Sequence, residues 1–377
     1  MLAVTHLLGT GHLARALLLA KAFQSAGHQT HLVSGGMPAP HLQDDGIKIT
    51  QLPPLRADGA DFANLRDMNG DIASAELFDR RCRMLCDVID AFQPDVLITE
   101  LFPFGRRSLK AEHIALLKRA AATRPKPLIL SSIRDILAPP SKQRKIEFAD
   151  DMVNQFYDGV LCHADPSVMT LDKSWPISDQ WRHKLSYTGF VTASDSEKMP
   201  AYGAGDIIVS AGGGDVGAHL FTAAIEAAKS DEGHTWRLLI GGSKSDQAIS
   251  ALQKKASVNV TVEHARPDFP AILRQARCSI SLCGYNTALD VLRAGCPAIF
   301  VPFDAGNEVE QSIRATALEA KTGIDVIKAA DLTKATLLEK VRAVIAAPAR
   351  APMKNGTDGA QKTVEIAERM LRAAREN

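Results

Sequence analysis

The stretch SLCGYNTALDVLRAGCPAIFVP, residues 281–302, combines a loop of small residues, a helical pattern and a hydrophobic strand. The loop, with Ser281, Gly284 and Thr287, is expected to bring backbone to the C-terminal edge of a sheet, where open α/β folds bind ligands. One carboxylate, Asp290, falls in the first turns of the helix. An acid there accepts hydrogen bonds from a vicinal diol such as a ribose, or it only stabilises the helix dipole, and the stretch alone leaves both roles open.

Short apolar runs alternate with amphipathic segments along the whole chain. Runs such as DVLIT and PLILSS are typical of buried strands, whereas HLARALLLAKAFQSAG has apolar residues at i, i+3 and i+4. Strands that alternate with helices of this length indicate right-handed crossovers and parallel sheets covered on both faces. The chain is therefore predicted to be an α/β protein with doubly wound domains.

The alternation runs once through the first half of the chain and restarts at Asp206. The stretch between the two runs contains glycine, proline, serine and charge without periodicity, which is typical of a linker. We predict an N-terminal domain over residues 1–190, a linker over 191–205 and a C-terminal domain over 206–350. A helix over residues 358–377 must then dock elsewhere, and the N-terminal domain is the candidate surface.

Composition excludes few classes of protein. Of the 377 residues, 44 are Lys or Arg and 43 are Asp or Glu, so the net charge of +1 gives no general reason to expect nucleic-acid binding. No apolar run approaches a membrane span, and the start MLAVTHLLGTGH lacks the basic head of a signal peptide, so a cytoplasmic protein is expected. The six cysteines are expected to be buried and reduced; Cys82 and Cys86, at i and i+4, lack the further ligands of a metal site.

The first glycine-rich turn is LLGTGHLARALLLA. Gly9 and Gly11 allow a sharp turn after a strand, and His12 falls at or beside the helix N-terminus, where free N–H groups and the dipole favour an anion. The spacing G-x-G-H-x-x-R lacks the third glycine of a dinucleotide fingerprint, and no acid closes the second strand. A tight turn with an incidental histidine is the alternative interpretation.

Two further glycine turns lie in the second half. VSAGGGDVGAH, residues 209–219, places three consecutive glycines where a phosphate can approach bare amides, and the absence of a following Gly-Lys-Ser/Thr argues against ATP hydrolysis. LLIGGSKS adds Gly242 at the same expected sheet edge.

The order of these motifs resembles a known family. The segments SAGGGD, IGGS, HARPDFPAILRQARCSISLCGYNTALDVLRAGCPAIFVPF and NEVEQSIRA resemble the nucleotide-sugar domain of glycosyltransferase family 28, which includes the N-acetylglucosaminyltransferase that makes lipid II. With HLLGTGHLARAL, QPDVLITELFPFGRRSL, SSIRDIL and LSYTGFV, the whole chain is more similar still to a bacterial family of predicted glycosyltransferases. The resemblance implies a GT-B fold, in which two Rossmann-like domains face each other across a cleft and close about the linker.

The resemblance also implies roles in donor binding. The helix acid, commonly Glu in the relatives and Asp290 here, would bind the ribose hydroxyls, and the segment around Arg266 would hold the base through main-chain atoms. Glu310 and Gln311 match a pair that holds sugar hydroxyls, and a solvated helical turn is their alternative interpretation. The donor diphosphate would face backbone N–H groups without a metal, at the glycine turns and the loop before the helix, at Gly11, Gly213, Gly214, Gly242, Gly284, Asn286 and Thr287.

In the N-terminal domain, the resemblance places His12 toward the cleft. A neutral imidazole there takes a proton from an acceptor hydroxyl or hydrogen-bonds a phosphate. Glu100, directly after the strand DVLIT, is a second candidate base, and the sequence does not rank the two. Arg134 and Asp135 also follow a strand and are either site residues or an internal ion pair.

The resemblance therefore implies a metal-independent, inverting glycosyltransferase with a UDP-sugar donor and no separate cofactor. Two rivals remain: a nucleotide-sugar hydrolase or epimerase of the same fold, and a non-catalytic nucleotide-sugar binder. The acceptor is undefined. ELFPFGRRSLKAEHIALLKRAA combines apolar and basic residues, which fits either contact with the inner membrane surface or an ordinary amphipathic helix.

Overall fold

The structure is a computed structural model that describes residues 1–40, 42, 46–58, 61–192, 202–212, 216–242, 245–304 and 309–376. It divides into two compact units. The first comprises Met1–Ala193 with Gly356–Asn377, and the second comprises Ser194–Asn355. Most of the predicted linker, residues 193–201, and the predicted phosphate-binding glycines Gly213 and Gly214 lie outside the described residues.

An eight-stranded sheet forms the centre of the first unit, in the order β4-β3-β2-β1-β5-β6-β7-β8. All neighbouring strands are parallel except β3 and β4, which pair antiparallel. The elements are β1 (Leu2–Val4), α1 (Gly11–Ser25), β2 (His31–Gly36), β3 (Lys48–Asp58), β4 (Asp61–Arg66), α2 (Ala75–Phe92), β5 (Val96–Glu100), α3 (Lys110–Ala122), β6 (Leu128–Arg134), α4 (Gln143–Phe156), β7 (Gly159–His163) and β8 (Leu185–Tyr187).

The second unit is built on a six-stranded parallel sheet in the order β11-β10-β9-β12-β13-β14. This is the order of a Rossmann sheet. Its elements are β9 (Ile207–Ser210), α5 (Ala218–Ala228), β10 (Trp236–Ile240), α6 (Ser245–Gln253), β11 (Val260–His264), α7 (Phe269–Leu273), β12 (Cys278–Ser281), α8 (Tyr285–Ala294), β13 (Ala298–Phe300), α9 (Glu310–Glu319), β14 (Ile324–Val326) and α10 (Lys334–Ala346).

The last helix, α11 (Gly359–Glu376), belongs to the first unit. It packs against α1 and β6 and buries Val364, Ile366 and Ala367 in the core that also holds Leu17 of α1. Its apolar residues recur on one face at helical spacing, so the helix is stable only when that face is covered. The first unit is thus made of two chain segments that are separated by the second unit.

Each sheet has one point at which the chain reverses its direction of winding. In the first unit, β1 lies between β2 and β5; in the second, β9 lies between β10 and β12. The carboxyl ends of strands on either side of such a point leave a crevice, which is where open α/β sheets bind ligands. The residues that follow β1, β5, β9 and β12 are therefore the candidate ligand-binding positions.

A buried ion pair joins the layers of the first unit. Arg81 of α2 is fully buried and donates two hydrogen bonds of 2.8 Å to Glu112 of α3. The same guanidinium donates to the carbonyl oxygen of Gly35 at 2.8 Å and to that of Pro53. Because a buried charge must be paired and hydrogen-bonded, Arg81 fixes both helices to β2 and β3.

The described helices include none that is long and apolar enough to cross a membrane.

The cysteines carry no disulfide; four are buried, whereas Cys82 and Cys86 of α2 are half-buried. Burial raises the pKa of the Cys86 thiol to about 11. The Cys86 thiol therefore stays protonated near neutral pH.

Candidate active site

His12 and Glu100 meet at the winding reversal of the first sheet. His12 is the second residue of α1, and Glu100 is the last residue of β5. The Nδ1 atom of His12 lies 2.9 Å from Oε1 of Glu100, and the two side chains are 13% and 5% exposed. Gly9, with φ of +64°, makes the turn between β1 and α1, a conformation that favours glycine. Gly11 has open space at its Cβ position, so steric room does not require glycine there.

The hydrogen bonds assign the protons of this pair. Nδ1 of His12 lies 2.9 Å from the carboxylate and 3.2 Å from Nη2 of Arg15. An ionised carboxylate only accepts and is the closer partner, so Nδ1 carries the hydrogen and Nε2 keeps its lone pair. Arg15, one turn later in α1, donates to the same Oε1 atom and is itself buried. No residue in the described ranges hydrogen-bonds Nε2 of His12. The arrangement leaves a neutral imidazole nitrogen as a candidate base, with a carboxylate behind it.

Burial sets the charge state of His12, and the surrounding donors set that of Glu100. It lowers the pKa of His12 to about 3, against the opposing effect of the hydrogen bond to Glu100. Burial acts to raise the pKa of Glu100, but the Arg15 cation and the hydrogen bonds from His12 and Ser132 outweigh it and hold that pKa far below the usual range. The resting pair at neutral pH is therefore a neutral histidine and an ionised glutamate.

The sequence interpretation missed three polar residues behind this pair. Oγ of Ser132 donates to Oε2 of Glu100 at 2.6 Å and lies 2.9 Å from Nε2 of His163. Nδ1 of His163 lies 2.8 Å from Oγ1 of Thr188. All three are buried. Ser132 lies in SSIRDIL and Thr188 in LSYTGFV, but those segments only carried the resemblance and gave neither residue a role, whereas Arg15 was visible as the last residue of the H-x-x-R spacing.

Arg134 and Asp135 lie at the same end of the sheet. Arg134 is the last residue of β6 and stands in register with His163 of β7. Asp135 is 2% exposed, and its Oδ1 accepts a hydrogen bond of 2.8 Å from the backbone N–H of Ile136. The Asp135 carboxylate thus shapes the turn after β6, and both residues stay candidate site residues.

In the second unit, two predicted turns meet at the winding reversal. Gly212 follows β9 with φ of +75°, and a Cβ atom added there would lie 3.9 Å from Oγ1 of Thr287. Gly284 precedes α8 as its N-cap, with nothing within 4 Å of its Cβ position. Asn286, in the first turn of α8, is exposed. Bare backbone from both turns therefore lies at one sheet edge, the geometry that backbone N–H binding of a phosphate requires.

The other predicted donor residues occupy neighbouring positions. Asp290 is half-buried in the second turn of α8. Glu310 begins α9 and is buried, so it does not lie in a solvated turn, and Oε1 of Gln311 accepts a hydrogen bond of 3.1 Å from the N–H of Phe303. Gly242 follows β10 with φ of +91°.

Arg314, which the sequence interpretation did not select, fixes the loop before α8. It is buried in α9 and donates a hydrogen bond of 2.8 Å to the carbonyl oxygen of Cys283. Its guanidinium also lies 5.9 Å from the ring centroid of Tyr285. The only sequence signal is its spacing of four residues from Glu310, which places both on one helix face.

The side chain of Arg266 belongs to a surface network. Its Nε donates to Oδ1 of Asp268 at 3.0 Å, and its guanidinium lies 4.2 Å from the ring centroid of Tyr202. The Tyr202 hydroxyl donates to the same carboxylate. A role for this segment in holding a base would therefore fall to its main chain, as the resemblance implied.

Solved glycosyltransferases share this fold across nearly the whole chain. Acinetobacter baumannii MurG superimposes with a TM-score of 0.59 at 17% identity, covering 98% of this chain and 94% of that one. The calicheamicin glycosyltransferase CalG4 superimposes with a TM-score of 0.62 at 15% identity, covering 100% and 96%. The chain therefore has the GT-B fold, and the predicted fold class is confirmed.

Sequence comparison shows which group of glycosyltransferases this chain resembles. Residues 208–370 match the family described as "Glycosyltransferase family 28 C-terminal domain". This match to part of the chain confirms the resemblance to glycosyltransferase family 28 seen in the sequence. The "UDP-N-acetylglucosamine--N-acetylmuramyl-(pentapeptide) pyrophosphoryl-undecaprenol N-acetylglucosamine transferase" of Brucella suis is 35% identical over 144 residues, and that of Brucella anthropi is 32% identical over 143. These matches cover 37% of this chain and 38% of those relatives.

Proposed function

We propose that the protein is an inverting glycosyltransferase that moves a sugar from a nucleotide-sugar donor to an acceptor hydroxyl. The observation that carries the proposal is the His12–Glu100 pair, which offers a neutral imidazole nitrogen at the carboxyl edge of the first sheet. A family 28 domain in the same chain supports a sugar-nucleotide substrate for that base.

The reaction is a single displacement. Nε2 of His12 takes the proton of the acceptor hydroxyl while the oxygen forms a bond to the anomeric carbon. The bond between that carbon and the diphosphate oxygen breaks, and its electron pair leaves with the nucleoside diphosphate. The Glu100 carboxylate stabilises the imidazolium that forms, since it accepts the Nδ1–H bond and lies close to the ring.

The donor is assigned to the second unit. Backbone N–H groups at the turns containing Gly212 and Gly284 would bind the diphosphate, and Asp290 would accept hydrogen bonds from the ribose diol. The names of the Brucella relatives include UDP-N-acetylglucosamine, which makes a UDP-sugar the first donor to test. We place Glu310 and Gln311 against the donor sugar because both begin α9, the helix whose Arg314 holds the loop before α8.

UDP release from several UDP-sugars tests this proposal against its rivals. Release that depends on an added acceptor supports transfer, whereas release into water alone supports a hydrolase. Tight binding without turnover of any donor would contradict both enzymatic functions. The acceptor panel should contain simple alcohols, sugars and a polyprenyl-diphosphate sugar in vesicles, because the relatives' names include a pyrophosphoryl-undecaprenol acceptor. We propose a cytoplasmic location, at the inner membrane surface if the lipid-linked acceptor is used.

A further inference from the structure

We infer that Ser132, His163 and Thr188 form a buried positioning chain that fixes the orientation of Glu100 and thereby holds His12 in its Nδ1–H tautomer. The contacts themselves are independent of the reaction; only their catalytic meaning rests on the proposed function. None of the three residues reaches the surface, since each is at most 2% exposed. They are positioning residues and do not touch a substrate.

The chain consists of four consecutive hydrogen-bonding contacts. Ser132 Oγ lies 2.6 Å from Glu100 Oε2 and 2.9 Å from His163 Nε2. His163 Nδ1 lies 2.8 Å from Thr188 Oγ1, which in turn lies 2.8 Å from the carbonyl oxygen of Gly189. Both oxygens of the Glu100 carboxylate are thus engaged, Oε1 by His12 and Arg15 and Oε2 by Ser132.

Counting protons shows that these four contacts compete. Each contact needs one hydrogen, and a neutral His163 with two hydroxyl groups supplies one fewer hydrogen than there are contacts. Burial lowers the pKa of His163 to about 3, so it is neutral at pH 7. One contact must therefore lack a hydrogen, and the tautomer of His163 decides which one.

The Glu100 carboxylate determines which partner receives the hydrogen of the Ser132 hydroxyl. A charged acceptor makes the strongest hydrogen bond, so the Ser132 hydroxyl donates to Glu100. The Ser132 oxygen is then left to accept from Nε2–H of His163, Thr188 donates to Nδ1, and the contact between Thr188 and the carbonyl oxygen of Gly189 is the one without a hydrogen. With hydrogen on Nδ1 instead, the bare Nε2 atom of His163 would face the oxygen of Ser132 or draw its proton away from Glu100.

This order of hydrogen bonds also determines the orientation of Glu100 toward His12. When Ser132 holds Oε2, the carboxylate cannot rotate, and Oε1 stays directed at Nδ1 of His12. The hydrogen of His12 is then kept on Nδ1, and Nε2 stays available as the base. Without Ser132 or His163, we expect the carboxylate to sample other orientations and His12 to populate both tautomers.

Nitrogen-15 NMR of the histidine rings tests this inference without any turnover. We compare the wild type with Ser132→Ala and His163→Phe, and we assign His12 by its loss in His12→Gln. The control is Ser131→Ala, because Ser131 is equally buried in the same strand but donates to the carbonyl oxygen of Phe102 at 2.8 Å. The wild type and Ser131→Ala should show His12 as one Nδ1–H tautomer, whereas Ser132→Ala and His163→Phe should show a mixture.

The same variants have a kinetic readout once a donor and acceptor are found. Ser132→Ala should lower kcat by at least about tenfold, up to the 10²–10⁴-fold contribution of a general base, with KM for the donor unchanged and an altered pH profile. His163→Gln, whose side-chain amide donates as Nε2–H does, should recover most of that loss relative to His163→Phe.

Two results would overturn the inference. One is an unchanged single His12 tautomer in folded Ser132→Ala and His163→Phe; the other is the same tautomer mixture in Ser131→Ala, which would show a general effect of losing a buried hydroxyl. Absence of transferase activity in the wild type would contradict the proposed function and leave the NMR comparison intact.

Discussion

Among its described residues, the first unit contains two histidine–glutamate pairs with the same separation and different surroundings. His12 lies 2.9 Å from Glu100, and His28 lies 2.9 Å from Glu368. The side chains of the first pair are 13% and 5% exposed, whereas those of the second are 43% and 34% exposed. Solvent screens the second pair, so the buried pair has the stronger electrostatic coupling and the second provides a natural control.

Removing the base should abolish most turnover without unfolding the protein. We expect His12→Ala to lower kcat by about 10²–10⁴-fold, the usual contribution of a general base, and Glu100→Gln to lower it less. Initial-rate kinetics with saturating donor measure both. His28→Ala removes the imidazole of the exposed pair and should keep wild-type kcat. An active His12→Ala variant would exclude His12 as the base.

Acidification should destabilise the first unit through its buried histidines. The folded-state pKa values of His12 and His163 are lowered from 6.5 to about 3, so between these values the unfolded chain binds more protons than the folded one. The free energy of unfolding must then decrease as pH falls below 6.5. Glu100 adds to this only below its ordinary pKa of 4.5.

Urea unfolding between pH 6.5 and 5 measures this dependence. His163→Gln should reduce proton uptake on unfolding by about one proton at the acidic end, because one histidine no longer titrates between the two states. Equal slopes for wild type and His163→Gln would contradict a neutral buried His163.

Asp290 tests the assignment of the donor to the second unit. If it accepts two charge-assisted hydrogen bonds from a ribose, Asp290→Ala should weaken UDP binding by about 10–100-fold, as expected for one to two such bonds. Calorimetric titration with UDP measures the change. Asp246→Ala removes an acid that is 91% exposed in the same unit and should bind UDP as the wild type does. Unchanged affinity in Asp290→Ala would remove it from the ribose role.

At the scale of elements, the sequence predicted the strands that are buried on both faces. DVLIT and PLILSS correspond to β5 and β6. Continuous apolar runs of this length are typical of strands in a parallel sheet that is covered on both faces. The antiparallel pair β3 and β4 was not predicted: β3 contains two prolines and β4 is mostly exposed, so neither has an apolar run. Backbone hydrogen bonds between the two strands hold an antiparallel pair at a sheet edge, and such bonds do not require a recognisable pattern of hydrophobic residues.

The candidate site was predicted only where a motif was local. His12 and Glu100 stand beside a glycine turn and a strand end, so each was visible alone, but their contact joins positions 88 residues apart. Neither Ser132, although it lies within SSIRDIL, nor His163 was given a role from the sequence. Side-chain direction at the end of each strand decides such contacts, and it follows from sheet register, which a single sequence does not contain.

The Arg81–Glu112 ion pair between α2 and α3 should be a main source of stability in the first unit. Glu112→Gln leaves the fully buried Arg81 charge uncompensated, at a cost of about 3–5 kcal/mol. Chemical denaturation, followed by hydrogen exchange in α2 and α3, measures it. The pair Arg119–Asp90 joins the same two helices at 2.6 Å but is exposed, so Asp90→Asn should change little. Equal effects of the two substitutions would contradict a special role for the buried pair.

At the scale of the whole molecule, α11 completes a unit that begins more than 300 residues earlier. Ile366→Ala removes a buried side chain from its interface, which should cost the first unit about 2–5 kcal/mol. Hydrogen exchange should rise in α1 and β6 and stay unchanged in β9 and β12. Val341→Ala, in the core of the second unit, should show the opposite pattern. Faster exchange in both units for either variant would contradict their separate cores.

The return of the chain to its first unit also sets an order of maturation during synthesis. The second unit is continuous, so it can fold as soon as residue 355 has left the ribosome. The first unit has its sheet from the start but lacks the cover of α1 and β6 until residues 359–376 emerge. Until then, the nascent polypeptide exposes an apolar strip beside α1, the kind of surface that chaperones bind. The unit with the proposed base is thus completed after the unit with the proposed donor site.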